Sequence, residues 1–172
     1  SDHGGGPLRR PTTRSHEAAG SGDLRRAIRR SGKVDFYSLA NDMGVDTIHD
    51  CMNPLGFGQI TGLDLGGEVR GVLPSTEWKR NTYRRPEQKR WYAGETISLG
   101  SGQGYNNCTM LQRANARAAV ANHGLQNKPH LVKAIRGPHA QAPEAVVLET
   151  PVNLGYKQQN IQVVLDGMVS VV

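Results

Sequence analysis

Phe36-Tyr37-Ser38-Leu39-Ala40-Asn41-Asp42-Met43-Gly44 places apolar side chains at Phe36, Leu39, Ala40 and Met43, the three- and four-residue spacing of one helix face. The spacing predicts a helix over roughly Asp35 to Met43, and Gly44 is a natural C′ residue to end it. Working outward, Asp23 is a good N-cap for a helix reaching about Arg30, with Leu24, Ala27 and Ile28 on one stripe. Arg25, Arg26, Arg29 and Arg30 occupy the rest of that helix, and Gly32 breaks it. Downstream, a third short helix runs from near Asp46 to Met52 and stops before Asn53-Pro54.

Before the first helix, residues 1–22 are rich in Gly, Ser, Thr, Pro, Arg and His and read as a disordered or loop lead-in. The six glycines from Gly56 to Gly71 exclude a regular helix and fit two turns around an extended piece, Ile60 to Leu65. Pro74-Ser75-Thr76-Glu77-Trp78 reads as a helix start. Lys79 to Arg90 reads as a solvated basic loop with aromatic residues at its borders, and Glu95 to Leu99 as a short strand. A helix from about Thr109 to Asn122 has Gln112 at the capping-box spacing. Two strands follow, Pro129 to Arg136 and Ala145 to Leu148, with a turn from Gly137 to Pro143 between them. Ile161, Val164, Leu165, Met168 and Val169 then line one face of an amphipathic helix over Lys157 to Val172.

The chain has 172 residues, enough for one compact domain, with a formal net charge of +6 from 21 Lys+Arg against 15 Asp+Glu. That balance favours acidic partners: nucleic acid, anionic lipid, or a polyanionic cell envelope. A mean hydropathy of −0.53 predicts that part of the chain either stays uncollapsed or packs against something outside it. No run of about 18 apolar residues is present, so no membrane span is expected, and Ser1 to Gly6 lacks the apolar core of a signal peptide.

Motif chemistry is sparse. Gly100-x-Gly-x-Gly104 is neither a dinucleotide nor a Walker loop, since the spacing is wrong and no Lys-Ser/Thr follows; a tight turn accounts for it. Cys51 and Cys108 have no local histidine partner and form no zinc spacing; Cys108 reads as a buried thiol, and a disulfide between them stays open. His3, His16, His49, His123, His130 and His139 match no ligand motif, so neither metal nor cofactor is expected. No serine has a lysine three residues on, and Lys-Ser/Thr-Gly is absent, so no complete serine-type active site lies within the chain. Lys79, Arg80, Arg84, Arg85, Lys89 and Arg90, with Trp78, Tyr83, Trp91 and Tyr92, leave open a basic nucleic-acid-binding module or a partner-dependent structural segment.

One ordered series of strings carries more information than any single motif. It runs Phe36 to Gly44, Leu55-Gly56-Phe57-Gly58, Thr61-Gly62-Leu63-Asp64-Leu65 and Pro74-Ser75-Thr76-Glu77-Trp78-Lys79. Trp91-Tyr92-Ala93-Gly94-Glu95-Thr96, Gly102-Gln103-Gly104-Tyr105-Asn106, Ala121-Asn122-His123-Gly124 and Pro129-His130-Leu131-Val132 complete it. In that order and spacing the series resembles the class B penicillin-binding proteins of the elongation type found in rod-shaped Gram-negative bacteria, over about residues 23–172.

The resemblance implies an α+β fold of the penicillin-recognising, β-lactamase-like kind, here a helix-rich part of a transpeptidase domain. It implies a serine D,D-transpeptidase that cross-links peptidoglycan stem peptides through an acyl-enzyme, reacts with β-lactams, and works with rod-shape elongation proteins. Such an enzyme acts at the periplasmic face of the inner membrane, with its anchor outside this segment, and takes no nucleic acid. Of the family's three active-site motifs, Ser-x-x-Lys would precede residue 1 and Lys-Ser/Thr-Gly would follow residue 172. The resemblance therefore implies that Ser31 holds the serine of the second motif, Ser-x-Asn/Asp, with Lys33 in place of the Asn or Asp. Ser101 and Arg113 stand where the family has apolar residues, and Cys108 where an aromatic is usual. Arg113 lies one turn from Arg117, and facing the core unpaired it would cost several kcal/mol.

Overall fold

The computed structural model describes residues 24–30 and 32–171. The Asp23 cap, the lead-in and Ser31 lie outside the described residues. The first elements are α1 (Leu24–Arg30), α2 (Lys33–Met43) and α3 (Val45–Met52), followed by a 3-10 turn, Asn53–Leu55. Residues 56–75 are irregular apart from one bridge, in which the Val72 and Asn107 amides donate to each other's carbonyls at 2.6 and 3.0 Å. Next come α4 (Thr76–Thr82), α5 (Pro86–Lys89), α6 (Ala93–Gly100) and α7 (Met110–Ala121). The remainder holds β1 (Leu125–Gln126), β2 (Ala134–Ile135), β3 (Glu144–Ala145), β4 (Val152–Asn153) and α8 (Gln158–Val169). Both pairings, β1 with β4 and β2 with β3, are antiparallel.

The core is small and lies where helices cross: α1 against α8, α2 against α6, and α7 against β1 and α8. Ala40, Val45, Leu73, Leu99, Ala116, Ala119 and Ile161 are buried there. Small residues let the helices approach. A Cβ on Gly100 would sit 2.5 Å from the Ala40 Cβ and 3.0 Å from the Phe36 carbonyl oxygen, and one on Gly167 would sit 2.9 Å from Ile28 Cδ1. Both distances are too short for real side chains, so glycine sets the α2–α6 and α1–α8 spacings.

Helix caps follow the sequence where side chains supply them. Ser75 Oγ accepts from the Trp78 amide at 2.9 Å and starts α4. Thr109 and Gln112 complete a capping box on α7, with Thr109 N–H to Gln112 Oε1 at 3.0 Å and Gln112 N–H to Thr109 Oγ1 at 3.1 Å.

Four sequence expectations are corrected. Glu95 to Leu99 is helical, within α6: the Glu95 carboxylate accepts from the Tyr92 amide at 2.8 Å, and Thr96 and Leu99 bury one face three residues apart. Local capping and packing override the β-branched Thr96 and Ile97. Lys79 to Arg90 is no simple solvated loop, because Lys79 through Thr82 belong to α4, Lys79 is buried, and Pro86 opens α5 from its N-terminal position. The two late strands shrink to two residues each, since the Leu131 and Val132 amides are taken by the Asp64 carboxylate at 2.7 and 2.8 Å instead of by a ladder. Arg113 and Arg117 are both exposed, so the feared burial of a charge does not arise. Cys51 is exposed and Cys108 half-buried, and both thiols are free.

Candidate functional site

Gly32 and Lys33, beside the position that the resemblance assigns to the second motif, lie where α1 gives way to α2. Ser31 itself is outside the described residues. Gly32 N–H donates to the Ala27 carbonyl at 3.0 Å, and the Gly32 carbonyl accepts from the Asp35 and Phe36 amides at 3.0 and 3.2 Å. Gly32 thus closes the end of one helix with its amide and opens the next with its carbonyl. Lys33 is the first residue of α2 and is exposed. A cation there opposes the helix dipole, and Asp35 in the same first turn offsets it. An ammonium only donates hydrogen bonds, whereas an Asn amide both donates and accepts, so Lys33 changes what this position can hold.

Two packed helix pairs fix the turn. On one side Arg25 pairs with Asp166 of α8 at 3.1 Å, beside the Gly167–Ile28 contact; on the other, α2 lies on α6 through Gly100 and Ala40.

Behind α6 lies the most tightly built cluster of the described residues. Lys79, 2% exposed, pairs with the Glu95 carboxylate, which also accepts from Tyr105 Oη at 3.1 Å and from the Tyr92 amide. Lys79 Nζ lies 5.4, 5.2 and 5.4 Å from the ring centroids of Trp91, Tyr92 and Tyr105. Trp78, Tyr83 and Trp91 surround Tyr105 with centroids 5.4, 6.2 and 6.0 Å from its ring. Trp91 Nε1–H donates to Thr96 Oγ1 at 2.8 Å.

Burial alone would raise the Glu95 carboxyl, but the hydrogen bonds from Lys79, the Tyr92 amide and Tyr105, with the Lys79 charge, outweigh it and hold the group low. Burial, then the hydrogen bond to Glu95, pushes the Tyr105 hydroxyl up to about 12. Lys79 is buried under these rings and paired with Glu95, and the cluster ties α4 to α6.

Three further polar groups tie the irregular segments down. Asp46 of α3 accepts from Thr76 N–H at 2.8 Å and from its hydroxyl at 2.7 Å, at the start of α4. Glu68 accepts from the Thr61 hydroxyl and amide and from the Gly62 amide, bonds that together hold its carboxyl below its usual value against the opposing effect of burial. Asp64 is held low by the Val132 and Leu131 amides. From α7, the buried Gln112 amide donates to the Gln59 and Arg70 carbonyls, the latter at 2.8 Å.

Asp64 and Gln112 act across long sequence separations and Glu68 reaches back six or seven residues through an irregular loop, so only Gln112, through its local capping spacing, left a trace in the sequence. Among the described residues no group of His, Cys, Asp or Glu is arranged to hold a metal ion.

Residues 3–172 match the family described as penicillin binding protein transpeptidase domain. The chain is 40% identical over 134 residues to the peptidoglycan D,D-transpeptidase MrdA of Haemophilus influenzae, and 44% identical over 115 residues to that of Acinetobacter baumannii. These alignments cover 78% and 67% of the chain but only 20% and 16% of the relatives, so the chain spans about a fifth of their length. Among solved structures it is similar to Pseudomonas aeruginosa PBP2 in complex with WCK 5153, with a TM-score of 0.66 and 40% identity, over 84% of this chain and 31% of that one. It is also similar to Helicobacter pylori PBP2 in complex with MreC, with a TM-score of 0.67 and 26% identity, over 86% of this chain and 25% of that one.

Proposed function

The chain belongs to the penicillin-binding protein transpeptidase family, and from that premise we propose that it is part of a peptidoglycan D,D-transpeptidase of the elongation type. The observation that carries the reading is the family match along nearly the whole chain, together with the ordered strings on α2, α4, α6 and α7. In this reading Ser31 is the serine of the second motif. The described residues on either side of it, α1 through Arg30 and the turn from Gly32, are held by the α1–α8 and α2–α6 contacts.

The reaction itself belongs to the longer protein. A serine hydroxyl there attacks the carbonyl of the penultimate D-alanine in a stem peptide, the peptide bond to the last D-alanine breaks, and that residue leaves as its amine. An acceptor amine on a second stem peptide then attacks the acyl-serine and frees the enzyme. The nucleophile and its lysine are not in these 172 residues, since no Ser-x-x-Lys occurs among them. This segment contributes the second-motif wall and the rigid backing behind it, and no metal or cofactor enters the reaction.

The same reading places the protein at the periplasmic face of the inner membrane. No helix of the described residues is long and apolar enough to cross a membrane, so an anchor would come from elsewhere in the protein. β-Lactams are the expected inhibitors, and proteins of the rod-shape elongation complex the expected partners. The Helicobacter pylori relative solved with MreC supports a partner of that kind.

The reading is tested by mixing the longer protein that carries this segment with a stem pentapeptide ending in D-Ala-D-Ala. Release of one D-alanine per peptide, abolished by penicillin, is the expected result. Release that persists after penicillin, or no release, contradicts it.

A further inference from the structure

Between α4 and α5 lies a recess of about 580 Å³, lined by Glu77, Arg80, Asn81, Pro86, Lys89 and Arg90. The ion pairs among the described residues engage Arg25, Lys79 and Lys128, and none reaches Arg80, Lys89 or Arg90. Glu77 lines the same recess without closing an ion pair to any of them. Arg90 rests its guanidinium 5.8 Å from the Tyr92 ring centroid. Three cations gathered on one open recess with a single carboxylate among them leave a net positive field that favours a bound anion.

We propose that this recess is an accessory subsite for the carboxylates of an acidic peptide. Resting on the transpeptidase reading above, we assign that peptide as a cell-wall stem peptide. Two of the three cations are arginines, whose planar forks match a carboxylate with two parallel hydrogen bonds. The other two polar groups decide between a peptide and a phosphate polymer. Glu77 would repel a phosphate strand, but it can accept from a peptide N–H, and Asn81 can both donate to and accept from a peptide backbone.

The backbone that carries these side chains is anchored: Lys79, on the same helix as Glu77 and Arg80, is buried among the aromatic rings, and Pro86 fixes the start of α5.

The longer protein, first acylated with penicillin to block its reaction centre, is titrated with a synthetic stem pentapeptide and with the same peptide bearing carboxamides. Removing charge-assisted hydrogen bonds predicts that the acidic peptide binds at least about tenfold tighter than the carboxamide form. R80Q/R90Q is expected to lose that tenfold preference. R84Q/R85Q removes the same charge from residues that do not line the recess, and is expected to stay within about threefold of wild type.

Equal binding of the two peptides, or equal losses in the two double variants, overturns the subsite. An oligonucleotide that competes better than the acidic peptide overturns it in favour of nucleic acid. An α-linked Asp/Glu peptide of equal charge that binds tenfold tighter than the stem peptide overturns the cell-wall assignment. A protein that penicillin fails to acylate, yet that keeps its carboxylate preference, retains the subsite and loses the transpeptidase reading.

Discussion

Residues 74–105 and residues 129–152 both carry large apolar side chains, but they place them differently. In the first stretch, four aromatic rings and the stem of Lys79 enclose one another, and the Lys79, Glu95, Trp91 and Tyr92 polar groups are bonded within the cluster. In the second, Val147 is 93% exposed, Leu131 64% and Ile135 63%, and the only ladders are the two-residue pairing of β2 with β3 and, at Val152, that of β4 with β1. The difference lies in polar satisfaction more than in hydrophobic content. A charged side chain that finds a carboxylate and three ring faces organises its neighbours, whereas a strand whose first amides are claimed by Asp64 cannot extend into a sheet. The first stretch satisfies its own polar groups and packs on α2 through Gly100 and Ala40; the second is held at a few points and leaves Val147, Leu131 and Ile135 exposed.

Lys79→Ala tests that contrast most severely. It leaves the Glu95 carboxylate without its cation and opens a void among the rings, so a loss of about 3 kcal/mol in unfolding free energy is expected by chemical denaturation. A loss below 1 kcal/mol would show that the rings hold themselves without the ion pair.

Gln112→Ala should cost about 2 kcal/mol, because it removes the capping box of α7 and strips the Gln59 and Arg70 carbonyls of their donor. The same denaturation experiment measures it, and the loss should be accompanied by faster amide exchange at Thr109.

Acid should loosen the second stretch. The Asp64, Glu68 and Glu95 carboxyls lie below their ordinary values of 3.8, 4.5 and 4.5. The unfolded chain therefore takes up protons first as pH falls, so the stability these groups contribute is complete above the ordinary values. It drains away as pH drops through their lower folded values. Hydrogen exchange at Leu131 and Val132 should accelerate in that acid range before exchange at Lys79 does. Simultaneous acceleration at both would erase the distinction between the stretches.

The smallest effect belongs to Val147→Asp, which should change unfolding free energy by less than about 0.5 kcal/mol, as expected for a side chain that touches almost nothing.

The helices were legible in the sequence because their signals are local. The Phe36–Met43 spacing, Ser75 and the Thr109–Gln112 pair each act within a turn or two, and α2, α4 and α7 lie within two residues of where those signals put them. Thr96 and Ile97 are β-branched and favour a strand, and the cap between the Glu95 carboxylate and the Tyr92 amide makes Glu95 to Leu99 helical instead. The burial of Lys79 could not be read from the chain, since its partners lie 12 to 26 residues away. Nor could the Asp64 clamp, whose acceptor and donors are separated by 67 and 68 residues. The candidate site was legible only through the family resemblance: Gly32 and Lys33 fall in the helix-to-helix turn that the resemblance points to, and nothing in their local chemistry marks them.

Intact-mass measurement after penicillin treatment tests the central claim most directly, applied side by side to the 172-residue chain and to the longer protein that carries it. The account predicts one penicilloyl adduct on the longer protein, on a serine outside residues 1–172, and none on the 172-residue chain. An adduct on Ser31, or on any residue of the isolated chain, would contradict it.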